Sequence, residues 1–271
     1  MTEPAPRIMG IVNVTPDSFS DGGEFLEAER AIAHGRSMLE EGAEILDVGG
    51  ESTRPGAAAV DADEESRRVI PVVEALVAAG ARVSIDTSKA RVAARALDAG
   101  AEIVNDVTAL GDGEMAPLVA DRGCELVLMH MRGSPRTMQE SPTYEDVVVD
   151  VRAFLAERLR RAVGAGIDER RIWVDPGIGF GKTVEHNLEL IRRLGELREL
   201  GRPIVLGTSR KSFIGRLTGR DVDQRLGGTI ASNVLGLLNG ADLLRVHEVA
   251  PTREAIAVAG AIVGRSWRRP G

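Results

Sequence analysis

Apolar and polar positions alternate along this chain in one repeated phrase. A stretch with helical spacing ends at glycine, a short run of small or β-branched residues follows, and the run stops at a polar side chain. Gly42 leads through Ala43–Leu46 to Asp47, Gly80 through Val83–Ile85 to Asp86, and Gly100 through Ile103 and Val104 to Asn105 and Asp106. Gly123 leads through Leu126–Met129 to His130, Gly201 through Ile204–Leu206 to Gly207, and Gly240 through Leu243–Val246 to His247. Glycine closes a helix because it takes the left-handed conformation at little cost. Short, continuously apolar runs read as parallel strands buried on both faces. Ile8–Asn13, and Ile172–Asp175 after the turn at Gly164-Ala165-Gly166, bring the expected strands to eight.

Between them, Glu27–Glu41, Asp63–Ala78, Lys89–Ala99, Tyr144–Val163, Glu185–Leu200 and Thr252–Val263 carry apolar residues at helical spacing with charges between. Strands alternating with helices over this length predict an α/β fold: a single (β/α)8 TIM barrel over residues 1–271, with residues 1–6 flexible. A doubly wound open sheet is the alternative. No linker or composition break divides the chain. In a barrel the carboxyl ends of the strands face one mouth. Those ends are Asn13, Asp47, Asp86, Asn105, Met129-His130, Asp175, Gly207 and Arg245-Val246-His247. One polar residue ending a buried strand is ordinary; the same feature on nearly all eight argues for a shared ligand site.

Composition narrows the partners. Lys and Arg number 34 against 41 Asp and Glu, a net charge of −7, which argues against a broad nucleic-acid-binding face. The one cysteine, Cys124, excludes an internal disulfide and a multi-cysteine metal site. There is neither a membrane-length apolar run nor a hydrophobic signal core, so a cytoplasmic protein is expected.

Asp86, Asn105 and Asp175 would project into the mouth. An ionised Asp accepts two parallel N–H bonds from a flat, amidine-like edge, and Asn offers one donor and one acceptor group. The trio suits a planar, nitrogen-rich heterocycle; each Asp alone could equally cap the next helix. Arg245 and His247 lie two residues apart on one side of the last strand. Ser209-Arg210-Lys211-Ser212 opens a helix, and loops after strands seven and eight commonly bind phosphate. An ion pair with Glu248 is the plainer reading of Arg245 and His247. The loops Thr15–Gly23 and Gly49–Gly56 are either lids over a substrate or solvated connectors. Gly181-Lys182-Thr183 is no P-loop, since its first Gly would fall on Pro176, and Lys182 stands where a Rossmann pattern needs Gly. His34, His130, His186 and His247 are too scattered for zinc, and His34 and His186 fall on helices.

Eight ordered segments carry a resemblance: IMGIVNVTPDSFSDGG from Ile8, LDVGGESTRPGA from Leu46, SIDTSKA from Ser84, NDVTAL from Asn105, LMHMRGSPRTMQ from Leu128, DPGIGFGKT from Asp175, GTSRKSFIG from Gly207 and RVHEV from Arg245. Together they resemble the dihydropteroate synthases, the pterin-binding enzymes that sulfonamides inhibit. The resemblance implies condensation of 6-hydroxymethyl-7,8-dihydropterin pyrophosphate with p-aminobenzoate, giving 7,8-dihydropteroate and pyrophosphate by a Mg²⁺-assisted dissociative path. It implies that Asp86, Asn105, Asp175 and Lys211 hold the pterin, with Val107 and Met129 against its faces and Gly207 in the same pocket. Asn13 would help place Mg²⁺, and Thr53, Arg245 and His247 would bind the pyrophosphate. Phe19, Arg54, Pro55, Phe180, Lys211 and Ser212 would shape the p-aminobenzoate pocket, with Ser212 and its helix N-terminus receiving the carboxylate. Asp175, Lys211, Arg245 and His247 are the expected catalytic groups. The resemblance also implies a homodimer. A methyltetrahydrofolate-dependent methyltransferase and a non-catalytic pterin-binding paralogue are the alternatives. The first has no need of Arg54, Ser209–Ser212 or the Arg245/His247 pair; the second would have lost loop residues or Lys211-Ser212. No Phe-containing insertion follows Asp175-Pro176-Gly177, so sensitivity to sulfonamides is expected.

Overall fold

A computed structural model describes residues 5–14, 23–52, 56–57, 59–134, 137–140, 142–265 and 267, with side chains 23–26 left out. Eight parallel strands run β1 (Arg7–Asn13), β2 (Ile45–Gly49), β3 (Val83–Asp86), β4 (Ile103–Asp106), β5 (Glu125–Met129), β6 (Ile172–Asp175), β7 (Val205–Leu206) and β8 (Leu243–Val246). They pair in the order β6-β5-β4-β3-β2-β1-β8-β7. The two ends of that order meet: Val174 bridges Ile204 in parallel register, and its N–H donates to the Pro203 carbonyl at 3.0 Å. This is the TIM barrel that the strand–helix alternation predicts. The open sheet fails, because an open sheet keeps two separate edges.

The outer helices are α1 (Gly23–Glu40), α2 (Ala62–Ala78), α3 (Ala90–Asp98), α4 (Met115–Arg122), α5 (Val147–Gly164), α6 (Val184–Arg192), α7 (Ser212–Thr218), α8 (Leu226–Leu238) and α9 (Val249–Ile262). Caps fix several starts. The Asp61 carboxylate accepts from the Asp63 and Glu64 N–H groups, and Asp146 from those of Val148 and Val149. The Asp146 cap starts α5 after Tyr144, whose hydroxyl instead donates to the Gly181 carbonyl at 2.7 Å. The long helix expected over Glu185–Leu200 divides into α6 and a 3₁₀ segment, Leu194–Leu200.

Two helices lack a clear periodic signal. α4 is short and contains Pro117. α8 carries Gly228 and Gly236, which lower helix propensity but allow close approach. A Cβ on Gly236 would lie 2.0 Å from Leu206 Cδ2, and one on Gly228 2.3 Å from Ile214 Cγ2.

Strand alternation then builds the interior. Met9, Ile45, Ile103, Val127, Trp173, Val205 and Leu243 form one buried apolar layer inside the barrel. Side chains two residues apart on a strand share a face. The next step toward the mouth is therefore Ile11, Asp47, Asn105, Met129, Asp175, Gly207 and Arg245, joined by Asp86 on β3. The opposite parity, including Ile8, Leu46, Val48, Ile85, Val104, Leu128, Val174 and Val246, packs into the larger core with the helices. One two-residue step thus changes an apolar plug into a polar floor.

Candidate active site

A cavity of about 920 Å³ opens above that floor. Asp86, Asn105, Val107, Met129 and Asp175 line it from β3 to β6 and their loops. Phe180, Gly207, Lys211 and Ser212 line it from the loops after β6 and β7, Arg245 and His247 from the end of β8, and Asn13 from the rim. Phe19, Thr53, Arg54 and Pro55 lie outside the described residues. The loop expected over Thr15–Gly23 falls outside them up to position 22, and residues 1–4 of the expected flexible start do too. Of the Gly49–Gly56 loop, Glu51 and Ser52 line the cavity. This loop leaves β2 under restraint: Lys89 bridges Glu51 to the buried Glu65, and Arg68 donates to the Gly50 carbonyl at 3.0 Å.

Two expected strand-end residues face elsewhere: Val246, in the core with the helices, and His130. His130 sits next to Met129, so alternation turns it outward, edge-on to Phe154 at 4.9 Å between ring centroids. Its Nδ1 lies 2.8 Å from Lys182 Nζ, which also donates to the Phe180 carbonyl at 3.0 Å. Burial and the Lys182 charge push His130 down to about 2, and burial draws buried Lys182 down to about 7.

The charged floor is a connected network. Arg245 donates from Nε to Asp47 Oδ2 and from Nη2 to Asp86 Oδ2, each at 2.6 Å. Asn105 Nδ2 donates to the same Asp47 oxygen at 2.9 Å. The ion pair considered for Arg245 with Glu248 does not form; Glu248 holds Arg210 instead. Burial, with Asp47 and Glu65 adding repulsion, raises Asp86 from 3.8 to about 7 against the pull of Arg245. Burial also raises Asp175, opposed by the Gly177 N–H that donates to its Oδ1 at 2.6 Å and by Lys211. Burial and Arg245 lower Lys211 to about 8, with Asp175 and Asp86 opposing.

Two loops complete the wall. After β7, Arg210 takes a left-handed φ of 58°, a strained conformation for a side-chain-bearing residue. Its N–H donates to Thr229 Oγ1 at 3.1 Å, and its carbonyl accepts from Arg225 Nη1 at 3.0 Å. Ser209 Oγ lies 2.9 Å from His247 Nδ1 and accepts the His247 N–H at 3.3 Å, tying this loop to β8. Helix α7 then begins at Ser212, as the Ser-Arg-Lys-Ser stretch predicts, but runs for only 7 residues. After β6, Gly177, Gly179 and Gly181 all have positive φ. Gly177 must be glycine, because a Cβ there would stand 1.8 Å from the His130 carbonyl oxygen. Gln139 Nε2 donates to the Gly179 carbonyl at 2.7 Å, and Lys211 Nζ stands 4.0 Å over the Phe180 ring.

Asp47, expected at the mouth only as a strand end, and Lys182, excluded from a P-loop, both contribute buried polar contacts. The signal for Asp47 is its parity with Ile45; for Lys182 none exists, since its partner His130 is 52 positions away. A second cleft, about 600 Å³, lies at the opposite end of the barrel among Arg82, Glu102, Arg122, Cys124, Glu125 and Arg171. Arg82 there is paired with Glu102 and Glu125, and Arg122 with Asp98. The convergence of acceptors, amide and cations is found at the other end, where barrels keep their sites. Among the described residues, no group of three or more His, Cys, Asp or Glu could hold a metal ion, and no helix is long and apolar enough to cross a membrane.

Comparison with known proteins agrees with this geometry. Residues 9–247 match the family of pterin binding enzymes. The chain is 45% identical over 257 residues to the dihydropteroate synthase of Escherichia coli K12, covering 94% of this chain and 91% of that one. It superposes with a TM-score of 0.90, at 51% identity, on a Xanthomonas albilineans dihydropteroate synthase solved with 4-aminobenzoic acid, covering 96% of this chain and 93% of that one. A Xanthomonas albilineans structure in complex with 7,8-dihydropteroate gives a TM-score of 0.87 at 49% identity, covering 96% and 94%.

Proposed function

The chain belongs to the pterin-binding enzyme family, and we infer that its reaction is that of a dihydropteroate synthase. It condenses 6-hydroxymethyl-7,8-dihydropterin pyrophosphate with p-aminobenzoate. The observation that carries this reading is the single cavity in which Asp86, Asn105, Asp175 and Lys211 meet Arg245 and His247. Neither a methyl transfer to a corrinoid protein nor a mere scaffold calls for the cationic end of that cavity.

In this reading Asp86, Asn105 and Asp175 take the polar edge of the pterin. Val107 and Met129, which share a small apolar cluster with Phe180, flank its faces. Arg245 and His247 receive the diphosphate, with Thr53 on the loop after β2. As the methylene carbon–oxygen bond breaks, the diphosphate carries away the electron pair. The carboxylate of Asp175 then faces the electron-deficient methylene, a stabilisation by fixed charge. The neutral amine of p-aminobenzoate forms the new carbon–nitrogen bond and gives up a proton to solvent. Phe180 and Lys211, with Phe19, Arg54 and Pro55, position that amine, and Ser212 receives the carboxylate. Because α7 is short, the Ser212 hydroxyl and local N–H groups serve here better than a helix dipole.

The donor set also bears on Mg²⁺. Asn13 offers one amide oxygen to the cavity that Arg245 and His247 also line, too little for a resident ion. Mg²⁺ keeps several waters and often takes one or two protein oxygens together with substrate phosphates. The residues therefore fit an ion that arrives with the diphosphate, where it would offset charge on the leaving group. A homodimer and a cytoplasmic setting belong to the same reading. Leu217, Leu226, Leu235, Val258 and Ile262, at 41–79% exposure on α7, α8 and α9, support a self-contact. Pyrophosphate release with dihydropterin pyrophosphate and Mg²⁺, with and without p-aminobenzoate, tests the function. Turnover dependent on p-aminobenzoate and abolished in Asp175→Asn is expected; no turnover under any such condition rejects it.

A further inference from the structure

The two carboxylates that share Arg245 are not equivalent. Asp86 lines the cavity, where a ligand can reach it. Asp47 does not line it and is 0% exposed, so no ligand competes for its oxygen. Asp47 Oδ2 holds Arg245 through Nε, the nitrogen nearest the stem; Asp86 holds it through Nη2, a terminal nitrogen. A heterocycle that offers a flat N–H edge to Asp86 therefore competes with Nη2 and leaves the Nε bond alone. Asp86 stays paired throughout, since ligand N–H groups replace the guanidinium. Arg245, still anchored at Nε, is left with a terminal nitrogen to offer another anion.

The same Asp47 oxygen also orients Asn105. An ionised carboxylate only accepts. Asn105 must therefore turn its NH₂ group toward Asp47, leaving its amide oxygen for the ligand. Among the described residues, the buried Asp47 Oδ1 has no hydrogen-bond partner.

Resting on the synthase reading above, we propose that Asp47 is a positioning residue for Arg245. It retains Nε while occupation of Asp86 by the pterin releases Nη2, so that one end of the substrate readies the cation for the other. The consequence is thermodynamic coupling between a pterin and a diphosphate that never touch, and the coupling must be reciprocal.

Calorimetric titration of the full chain in Mg²⁺ buffer tests this, using a 6-hydroxymethylpterin without its diphosphate and inorganic pyrophosphate as separate probes. In the parent protein, saturating pterin should tighten pyrophosphate binding at least fivefold. Asp47→Asn should reduce that factor to near one and raise KM for dihydropterin pyrophosphate more than it lowers kcat. Asp86→Asn supplies a signature that a structural role would not give. With the Asp86 charge removed and only a neutral amide oxygen left to hold Nη2, it should bind pyrophosphate alone more tightly than the uncoupled parent, approaching the affinity the parent shows with pterin present. A parent that binds both probes without coupling overturns the inference. So does an Asp86→Asn protein that binds pyrophosphate no better than the uncoupled parent, even if Asp47→Asn fails to fold. A parent that binds neither probe overturns the synthase reading itself, a distinguishable failure.

Discussion

Lys182 offers a measurement of what this site costs the fold. Its side chain is 3% exposed and, among the described residues, faces no carboxylate at hydrogen-bond distance, only His130 Nδ1 and the carbonyls of Phe180 and His130. Burial draws its ammonium from 10.5 down to about 7. One pH unit is worth about 1.4 kcal/mol, so keeping that proton costs the folded state about 5 kcal/mol relative to the unfolded chain at low pH. Above pH 7 the folded protein releases the proton while the unfolded chain keeps it, so stability rises with pH. Integrated from pH 7 to pH 10, this one group contributes about 3 to 4 kcal/mol of that rise. Lys182→Met keeps the stem and removes the titration. Its lost hydrogen bonds cost about 1–3 kcal/mol each, whatever the pH. Lys211, also lowered by burial, titrates in both proteins and cancels in the difference. His130 stays neutral throughout this range. The stability of the variant minus that of the parent should therefore fall by about 3 to 4 kcal/mol between pH 7 and pH 10. Urea unfolding followed through the buried Trp173 measures it. A difference that does not change with pH would refute the reasoning, and would mean that Lys182 is solvated or paired.

The raised carboxyl of Asp86, about 7 against 3.8, should make pterin affinity fall toward tenfold per unit as pH drops below 7, with proton release on binding. Calorimetry in buffers of different ionisation enthalpy reads both, and pH-independent affinity would contradict the pairing. The same shift has the opposite sense for the fold: stability present below about 4 is lost as pH rises through 7. Gly177→Ala places a Cβ 1.8 Å from the His130 carbonyl oxygen at a φ of 67°, so a loss of about 3 kcal/mol or more and of pterin binding is expected. A parental melting temperature would show that the loop can shift at no cost. A sulfonamide should inhibit turnover competitively with p-aminobenzoate; undiminished turnover at high sulfonamide and limiting p-aminobenzoate would contradict the pocket assigned around Phe180 and Lys211.

The barrel is legible in the sequence because its signal is local and repeated. Each strand is a short apolar run, and its glycine and polar terminator lie within a few positions. The site is legible for the same reason, since strand ends in a barrel converge whatever their separation along the chain. What escapes is of two kinds. α8 escapes because Gly228 and Gly236 serve packing against Ile214 and Leu206, contacts that no periodicity encodes. His130 escapes because a one-residue step reverses a side chain's direction, and the exact end of an apolar run does not reveal which neighbour faces inward. Parity with the apolar layer resolves it: positions two beyond Ile45, Ile103, Val127 and Trp173 are Asp47, Asn105, Met129 and Asp175. The partnership of Asp47 with Arg245 spans 198 positions and becomes visible only in space.

A chain of net charge −7 must still receive a diphosphate. A bare guanidinium in a buried pocket costs several kcal/mol in lost hydration. The floor avoids that cost by keeping Arg245 between Asp47 and Asp86 while the mouth is empty of substrate. Such pairing would defeat anion binding if both bonds were permanent. It does not, because the carboxylate that neutralises Nη2 is also the one facing the heterocycle. On the inference drawn above, the pterin supplies the N–H groups that replace Arg245 on Asp86, and the released charge appears next to the diphosphate of the same molecule. The exchange runs backward after the chemistry. Once pyrophosphate leaves, Nη2 has no anion but Asp86, and its return competes with the pterin ring of the product. The network that favours binding of the intact substrate therefore also favours release of dihydropteroate, and a weakened Asp47 anchor should weaken substrate binding and uncouple the two steps.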